Sequence, residues 1–475
     1  MRFWTPADAV SRMTSRVQVR RARRTRSFAS LRMTEDGQIP GGSATHARRK
    51  SGTIYCAPTE TLRHGHSTLC PYGKITRKFA KIHLSLIIQK YGGKALATAE
   101  DIRHVARIIY DRRKAGAQLV IVVSAMGDTT DRYLSMARGV NASPAGRELD
   151  VLLSVGERIS IAMLALALNA IEEDLAVSLT GAQAGIITDT VHTAAQIVEI
   201  RPQRVREILD RGQIPIIAGY QGITTDKNIS TLGRGGTDAT AVGLAVALNA
   251  ECVEFMKDVN GVQSADPKLI PSARVIPQMS YQEVLQMMGC GAKILQVPAV
   301  EMAAEHKVKL AIGNSKTGVA GTILTNKPLG RRTLTSVVLS ENVQCYLFDS
   351  TRSLTQAIEQ LRELGRSPLS AGLSGGRGLL VLANESGGAI PIFGKPEIPR
   401  EQLSLVTLIG PGVGSASELA TTVQRKLSPF LEQTAAYHVT ESRLSVLLPK
   451  EAARSFAASA HTLCLSEISA NNAAQ

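Results

Sequence analysis

The chain has 475 residues, with 55 Lys and Arg against 40 Asp and Glu and a formal net charge of +15. It is 44% hydrophobic and 20% charged, which excludes wholesale disorder, and at about 100–200 residues per domain it holds roughly two to four domains. The charge is uneven: residues 1–80 hold 16 Lys and Arg against 4 Asp and Glu, a net of +12, and the other 395 residues carry only +3.

Residues 1–80 contain the run Arg20, Arg21, Arg23, Arg24 and Arg26, the sole Trp (Trp4) and no sustained apolar periodicity. Such a segment buries too little apolar surface to offset its chain entropy. Three readings stand: a disordered extension, an organelle transit peptide, or a basic arm for nucleic acid. The first is our expectation, with no nucleic-acid or membrane partner. No apolar stretch of about 7–15 residues follows the early charges, so no secretory signal is expected.

From residue 84 the texture changes to strands alternating with helices. The pattern predicts a strand over 84–90, a helix over 99–114, a strand over 119–123 and a helix over 158–170. Strands over 214–218 and 253–256 and helices over 239–250 and 281–288 follow. The longest apolar run, 159–171, is interrupted by Ser160 and Asn169 and falls short of the ~20 residues that span a bilayer, so a buried helix is expected. This alternation predicts an α/β domain with a largely parallel sheet, its site at the carboxyl ends of the strands. Residues 326–333 read as a linker. Beyond them come strands over 335–339 and 343–348, a helix over 353–364 and strands over 379–383 and 403–409. A helix over 415–427, strands over 435–439 and 445–448 and a helix over 450–463 complete the chain. Two β-α-β-β-like groups predict a pair of small ferredoxin-like units. The division expected is 1–80, 84–325, 335–400 and 401–466. The six cysteines (Cys56, Cys70, Cys252, Cys290, Cys345, Cys464) are scattered without a C-x-x-C pair, which fits a reduced, cytoplasmic compartment and no thiol-ligated zinc.

Several segments suit anions. Lys90-Tyr91-Gly92-Gly93 follows a strand, where glycines admit close backbone amides and Lys adds a point charge; it is equally a plain turn. Thr231-Leu232-Gly233-Arg234-Gly235-Gly236-Thr237-Asp238 opens a helix whose N-terminus favours negative charge, although Thr237 or Asp238 also suits simple capping. The planar fork of Arg234 suits a carboxylate or phosphate. Glu157, in Ser154-Val155-Gly156-Glu157-Arg158, is either a first-turn acid favoured by the helix dipole or a partner for a substrate ammonium. Ser124 to Thr130 form a loop of small hydrogen-bonding residues. Lys257-Asp258-Val259-Asn260-Gly261 and Ala265-Asp266-Pro267-Lys268 are polar, and both also read as tight turns. The chain has no H-E-x-x-H, no G-x-S-x-G, no Walker loop and no G-x-G-x-x-G in the first βα unit. Together the segments suggest phosphoryl transfer, where positioning and electrostatics dominate.

Taken in order, KYGG (90–93), VVSAMGDTTD (122–131), LLSVGERIS (152–160), LTGAQAGIITD (179–189), IAGYQGI (217–223), TLGRGGTDATA (231–241), DVNGV (258–262), ADPKL (265–269) and GAKIL (291–295) closely resemble the aspartate kinases of the amino-acid kinase family. The resemblance covers about 84–325 and extends more weakly to about 465, where residues 403–414 resemble an ACT regulatory unit. It implies a three-layer sandwich with a mostly parallel sheet and two C-terminal ferredoxin-like ACT units. It also implies transfer of the ATP γ-phosphate, with Mg²⁺, to the side-chain carboxylate of L-aspartate. The product is 4-phospho-L-aspartate, on the route to lysine, threonine and methionine.

By matching position, Lys90 stabilises the transferring phosphoryl group and Asp238 orients the lysine-rich phosphate site. Gly92, Gly93, Gly235 and Gly236 give close backbone approach to ATP. Arg234 holds the aspartate α-carboxylate, Glu157 its ammonium, and Ser124 and Thr130 its remaining polar groups. Lys257, Asp258 and Lys268 fall at nucleotide contacts and Lys293 at a phosphate contact. Lysine or threonine are the implied effectors, in a homo-oligomer or a mixed complex with a smaller regulatory subunit. The chain departs from the family at Lys94 and Ala95 (Thr or Ser), Lys257 (Thr), Gln263 (an aromatic) and Gln296-Val297 (His-Pro). In the first ACT-like unit Asp349-Ser350-Thr351-Arg352 stands where a Pro-Gly helix start is usual. The kinase departures cluster at nucleotide and phosphate, so the alternative reading is a catalytically weakened amino-acid sensor or regulatory subunit.

Overall fold

The computed structural model describes residues 85–472 apart from 234, 327–333, 365, 375–376, 384–402 and 416. The basic segment 1–80, Cys56, Cys70, Arg234 and nearly all of the expected linker lie outside the described residues.

The first part of the chain runs β1 (Leu86–Tyr91), α1 (Ala99–Lys114), β2 (Gln118–Val123), α2 (Thr129–Val140), α3 (Arg147–Leu153), α4 (Val155–Asn169) and β3 (Ala176–Leu179). It continues through β4 (Ile186–Thr188), β5 (Ile197–Ile200), α5 (Gln203–Asp210), β6 (Ile214–Ala218), β7 (Gln221–Thr224), β8 (Ile229–Thr231), α6 (Gly236–Leu248) and β9 (Cys252–Lys257). Then come β10 (Gln278–Ser280), α7 (Tyr281–Gly289), α8 (Val297–Glu305), β11 (Lys309–Asn314) and β12 (Ala320–Thr325). The main sheet has eight strands in the order β10-β12-β11-β9-β1-β2-β6-β3, all neighbours parallel except β11 with β12.

Both faces of the central strands are covered, so β2 and β6 are nearly continuous apolar runs, while β1 and β9 bury a polar pair between them, the Gln89 amide donating to Glu254 (2.7 Å). Alternate side chains point to opposite faces. Ile88, Val120, Val122, Val253 and Phe255 pack with α5, α6, α7 and α8. Tyr91, Ile121, Val123, Ile216 and Met256 pack with α1 and α4. The result is the expected three-layer sandwich. The helix α1 starts at a Thr98–Asp101 capping box and ends in Arg112, Arg113 and Lys114, which suit its dipole. The stretch Arg147–Asn169 is long and apolar enough to cross a membrane by length and composition. Here it is two successive helices, α3 and α4, and Ile161, Leu164 and Leu168 of α4 join Ile102, Val105 and Ile109 of α1 in one core cluster.

A second small sheet, β5-β4-β7-β8, stands apart from the main one. Its loops bring residues 193–195 against Thr231 and Gly233: the Ala195 N–H donates to the Thr231 carbonyl (2.9 Å), and a Cβ on Gly233 would meet Ala194.

The C-terminal part holds β13 (Ser336–Ser340), β14 (Gln344–Phe348), α9 (Thr351–Glu363), β15 (Ser370–Ser374), β16 (Arg377–Leu382), β17 (Leu403–Ile409), α10 (Glu418–Leu427), β18 (Ala436–Thr440), β19 (Arg443–Pro449) and α11 (Lys450–Asn472). Two antiparallel sheets form, β14-β16-β15 and β13-β17-β19-β18. The second has a ferredoxin-like order in which β13, from the start of the region, supplies the edge strand beside β17. A division at 335–400 and 401–466 therefore assigns β13 to the wrong sheet: the first unit is nested inside the second. In the first unit Ser350 caps α9, accepting the Ser353 N–H at 3.2 Å, in place of a Pro-Gly start.

The second sheet is joined to the first part of the chain. Ala265 and Ile270 share a core with Val337, Val406 and Phe456. From α7, Glu283 accepts the Thr335 hydroxyl (2.8 Å) and the Gln286 amide donates to Ser442 (2.7 Å).

Candidate active site

The segments that carry Lys90, Ser124, Asp238 and Asp258 meet at the carboxyl ends of β1, β2, β6 and β9, the usual crevice of a parallel sheet, whereas Ala265 and Ile270, which flank Lys268, pack into the C-terminal core. Lys90 stands near the end of β1, on the face covered by α6. Its Nζ is 2.9 Å from Asp238 Oδ1, and the two side chains are 17% and 11% exposed. Asp238 lies in the first turn of α6, where the helix dipole favours an acid. That helix starts three residues before the expected position because Gly235, at φ 83°, provides the left-handed turn into it.

The two strand-end loops are tied together by backbone. The Gly127 N–H donates to the Gly93 carbonyl (3.0 Å), and the Ser124 N–H to the Tyr91 carbonyl (3.1 Å). A Cβ on Gly93 would stand 2.4 Å from the Ala125 carbonyl oxygen, so only glycine fits this approach. Ser124 Oγ donates to Thr237 Oγ1 at 3.2 Å, joining the β2 loop to α6. Thr130, in the first turn of α2, is half-buried.

Glu157 is 3% exposed in the first turn of α4. One carboxylate oxygen accepts the Ala125 N–H at 3.0 Å, and the other has no partner. Burial disfavours its charge and pushes its pKa up to about 7. A buried carboxylate with a vacant acceptor is stabilised by an incoming cation, which both pairs the charge and fills the acceptor.

A second group of charges lies at the end of β9. Lys257 donates from Nζ to the Ile294 carbonyl, and burial pushes its pKa down. Asp258 pairs with Lys94 at 3.1 Å, and that bond holds its carboxyl below the usual range. Lys90, Lys94, Lys257, Asp238 and Asp258 thus form one electrostatically linked set, in which Lys257 feels the other four. Two departures from the family pattern, Lys94 and Lys257, are among its cations. A third, Gln296, lies against the glycine turn, since a Cβ on Gly235 would run into its side chain. Lys268 and Lys293 are exposed, and among the described residues neither side chain has a hydrogen-bond or ion-pair partner. Asp238 and Asp258 are the acids of the set. Mg²⁺ is usually held by one or two carboxylates plus substrate phosphates, which this donor set fits.

Two residues of this region escaped the sequence reading. Tyr220 is a non-glycine residue at φ 65°, and its carbonyl accepts the Leu232 N–H (2.9 Å). Asp150 is fully buried and accepts from Thr231 and Thr193. The available signal was an acid, Asp150, inside the otherwise apolar run 149–153.

Residues 85–314 match the amino acid kinase family. An aspartokinase of Mycolicibacterium smegmatis is 47% identical over 242 residues, 51% of this chain and 57% of the relative. An aspartokinase of Corynebacterium glutamicum is 44% identical over 264 residues, 54% of this chain and 62% of the relative. The chain thus spans a little over half the length of the curated relatives it matches. Among solved structures, E. coli aspartokinase III in complex with aspartate and ADP superimposes with a TM-score of 0.65 at 20% identity, covering 80% of this chain and 100% of that one. The lysine and aspartate complex of the same enzyme gives a TM-score of 0.66 at 21% identity, covering 79% and 99%. At these identities the likeness is one of fold, and it includes the C-terminal sheets.

Proposed function

We propose that this chain, whose residues 85–314 match the amino acid kinase family, is an aspartate kinase, transferring the ATP γ-phosphate to the side-chain carboxylate of L-aspartate. The observation that carries this reading is Glu157, buried with one oxygen vacant, in the crevice that also holds the Lys90–Asp238 pair. One acid for an ammonium and several cations for anions match an α-amino acid beside a nucleotide triphosphate.

In this reading Glu157 takes the substrate ammonium, Ser124 and Thr130 its polar groups, and Arg234 its α-carboxylate. Lys90, held by Asp238, meets the charge that spreads over the transferring phosphoryl oxygens. Gly92, Gly93, Gly235 and Gly236 admit the phosphates to backbone amides, and Lys257, Asp258, Lys268 and Lys293 serve the nucleotide. Mg²⁺, when bound, neutralises phosphate charge. The product is 4-phospho-L-aspartate, on the route to lysine, threonine and methionine. The nested C-terminal sheets are ACT-like units that answer lysine or threonine in a cytoplasmic homo-oligomer or mixed complex. The domain division proposed is a basic extension (1–80), a catalytic part (84–325) and two units to about 466, with β13 given to the second.

The test incubates purified full chain with ATP, Mg²⁺, L-aspartate and hydroxylamine. The expected result is aspartyl hydroxamate, and its absence from folded protein overturns the reading. The second reading is an amino-acid sensor of weakened activity. It draws on Lys94 and Lys257, which are engaged by Asp258 and by the Ile294 carbonyl where the family carries hydroxyls. It predicts thermal stabilisation by lysine or threonine without turnover.

A further inference from the structure

Leu232 and Gly233, which lead to the proposed carboxylate contact, belong to no strand, so their position depends on what packs against them. The support comes from one buried acid. Asp150, in α3, is 0% exposed. Its carboxylate accepts the Thr231 hydroxyl at one oxygen, and the Thr193 N–H lies 3.0 Å from that same oxygen. The other oxygen is 2.6 Å from His192 Nδ1.

These partners bracket the turn. Thr231 ends β8 and leads directly into it. Thr193, at φ 68°, and Ala194 form its floor: a Cβ on Gly233 would stand 3.2 Å from the Thr193 carbonyl oxygen and 3.3 Å from Ala194 Cα. On the other side, α3 passes through Ser154 into α4, which carries Glu157. The Ser154 carbonyl accepts the Gln221 amide (2.9 Å), fixing that junction. A carboxylate bonded to several donors at once is held rigidly, and buried networks of this kind specify one geometry.

We propose that Asp150 is a positioning residue that sets the span between Glu157 and Gly233, and with it the affinity for the amino-acid substrate. This rests on the aspartate-kinase reading for its kinetic arm and is independent of it for its structural arm. Asp150 contacts no reacting atom, so its removal loosens the amino-acid side of the crevice and leaves the Lys90–Asp238 side in place.

The test uses the full chain with Asp150→Ala, Asp150→Asn and Thr231→Val. Asp150→Ala raises the KM for aspartate at least tenfold and the KM for ATP by a clearly smaller factor, since Gly235 and Gly236 lie farther along the same turn. Asp150→Asn, which keeps one acceptor oxygen, recovers part of that loss. Thr231→Val removes a single arm and shifts the aspartate KM in the same direction by about threefold. In substrate-free protein, amide exchange quickens over 231–236 in each variant and is unchanged over β1. Equal changes in both KM values, or unchanged exchange over 231–236, overturn the proposal. If Asp150→Ala does not fold, the other two variants decide it. If the wild-type chain phosphorylates no aspartate, the functional reading fails, and the exchange measurement still decides the role of Asp150.

Discussion

His461 on α11 and Ser264 in the loop after β9 share a buried 2.9 Å hydrogen bond, and the other ring nitrogen of His461 lies 3.1 Å from Ser272. The imidazole thus joins the last helix of the chain to the loop that carries Lys268. Burial and the nearby Arg274 depress its pKa below 6.5, so the folded protein holds it neutral. Below that pH the unfolded chain binds a proton that the folded chain resists, and stability falls. His461→Leu removes this pH dependence and leaves two serines without their partner, at a cost of about 1–3 kcal/mol. Denaturant midpoints at pH 5.5 and 8 for both proteins check it: the wild-type difference exceeds that of the variant.

On the proposed aspartate-kinase reading, Glu157 couples substrate binding to proton release. Its folded pKa is raised from 4.5 to about 7, so near neutrality part of the substrate-free population is protonated. An ammonium requires the carboxylate, so binding near pH 7 expels a proton and the KM for aspartate rises as pH falls below 7. Calorimetry in two buffers of different ionisation enthalpy gives different apparent binding enthalpies at pH 7 and converging ones at pH 9. Glu157→Gln abolishes the difference and raises the aspartate KM by about 10- to 100-fold, the range for a charge-assisted bond. The sign for stability is opposite to that of a paired acid. The raised pKa means that stability is lost as pH rises from 4.5 through 7, and Glu157→Gln is the more stable protein at pH 8 without substrate.

Lys94 and Asp258 are both exposed, with side chains 85% and 56% accessible. Pairs of this kind contribute under about 1 kcal/mol and weaken in salt. Lys94→Thr therefore leaves the melting temperature nearly unchanged. Its effect appears in nucleotide affinity: binding of a fluorescent ATP analogue weakens severalfold in 50 mM salt, and variant and wild type converge at high salt, about 0.5 M. Equal affinities at low salt would show that Lys94 serves only its pair.

Gly93→Ala places a Cβ 2.4 Å from the Ala125 carbonyl oxygen, a backbone atom that cannot swing aside. The β1 and β2 loops separate, and turnover drops by at least 100-fold with folding retained by the buried sheet. Circular dichroism and the hydroxamate assay, run on one sample, check both halves of that statement.

The parts of the fold that were legible in sequence are those with long periodic or continuous apolar runs. α1 coincides with its expected span because an apolar stripe, a capping box and a basic last turn agree. β2 and β6 are buried on both faces and read as nearly unbroken hydrophobic runs. The small sheet was not read: β4 and β8 have three residues each, mostly short of any period. β13 was read as a strand, but its partner lies more than sixty residues on, and pairing at that range leaves no local mark. At the site, Glu157, Lys90 and Asp238 were found through motif resemblance, and the structure brings them into one crevice. Asp150 was not, because a buried acid is defined by the donors around it, and those come from residues 192, 193 and 231.

The nested C-terminal sheets impose an order on synthesis. β13 leaves the ribosome before the whole first unit, and β17, the neighbour that completes its ladder, follows only after that unit has emerged. At about 5–20 residues per second the edge strand waits several seconds with its backbone unpaired. The inserted unit has its own strands and helix, and its folding brings the two ends of the insertion together, which shortens the search between β13 and β17. A mutation that slows the first unit therefore acts on the assembly of the second, and its phenotype is loss of yield rather than loss of regulation.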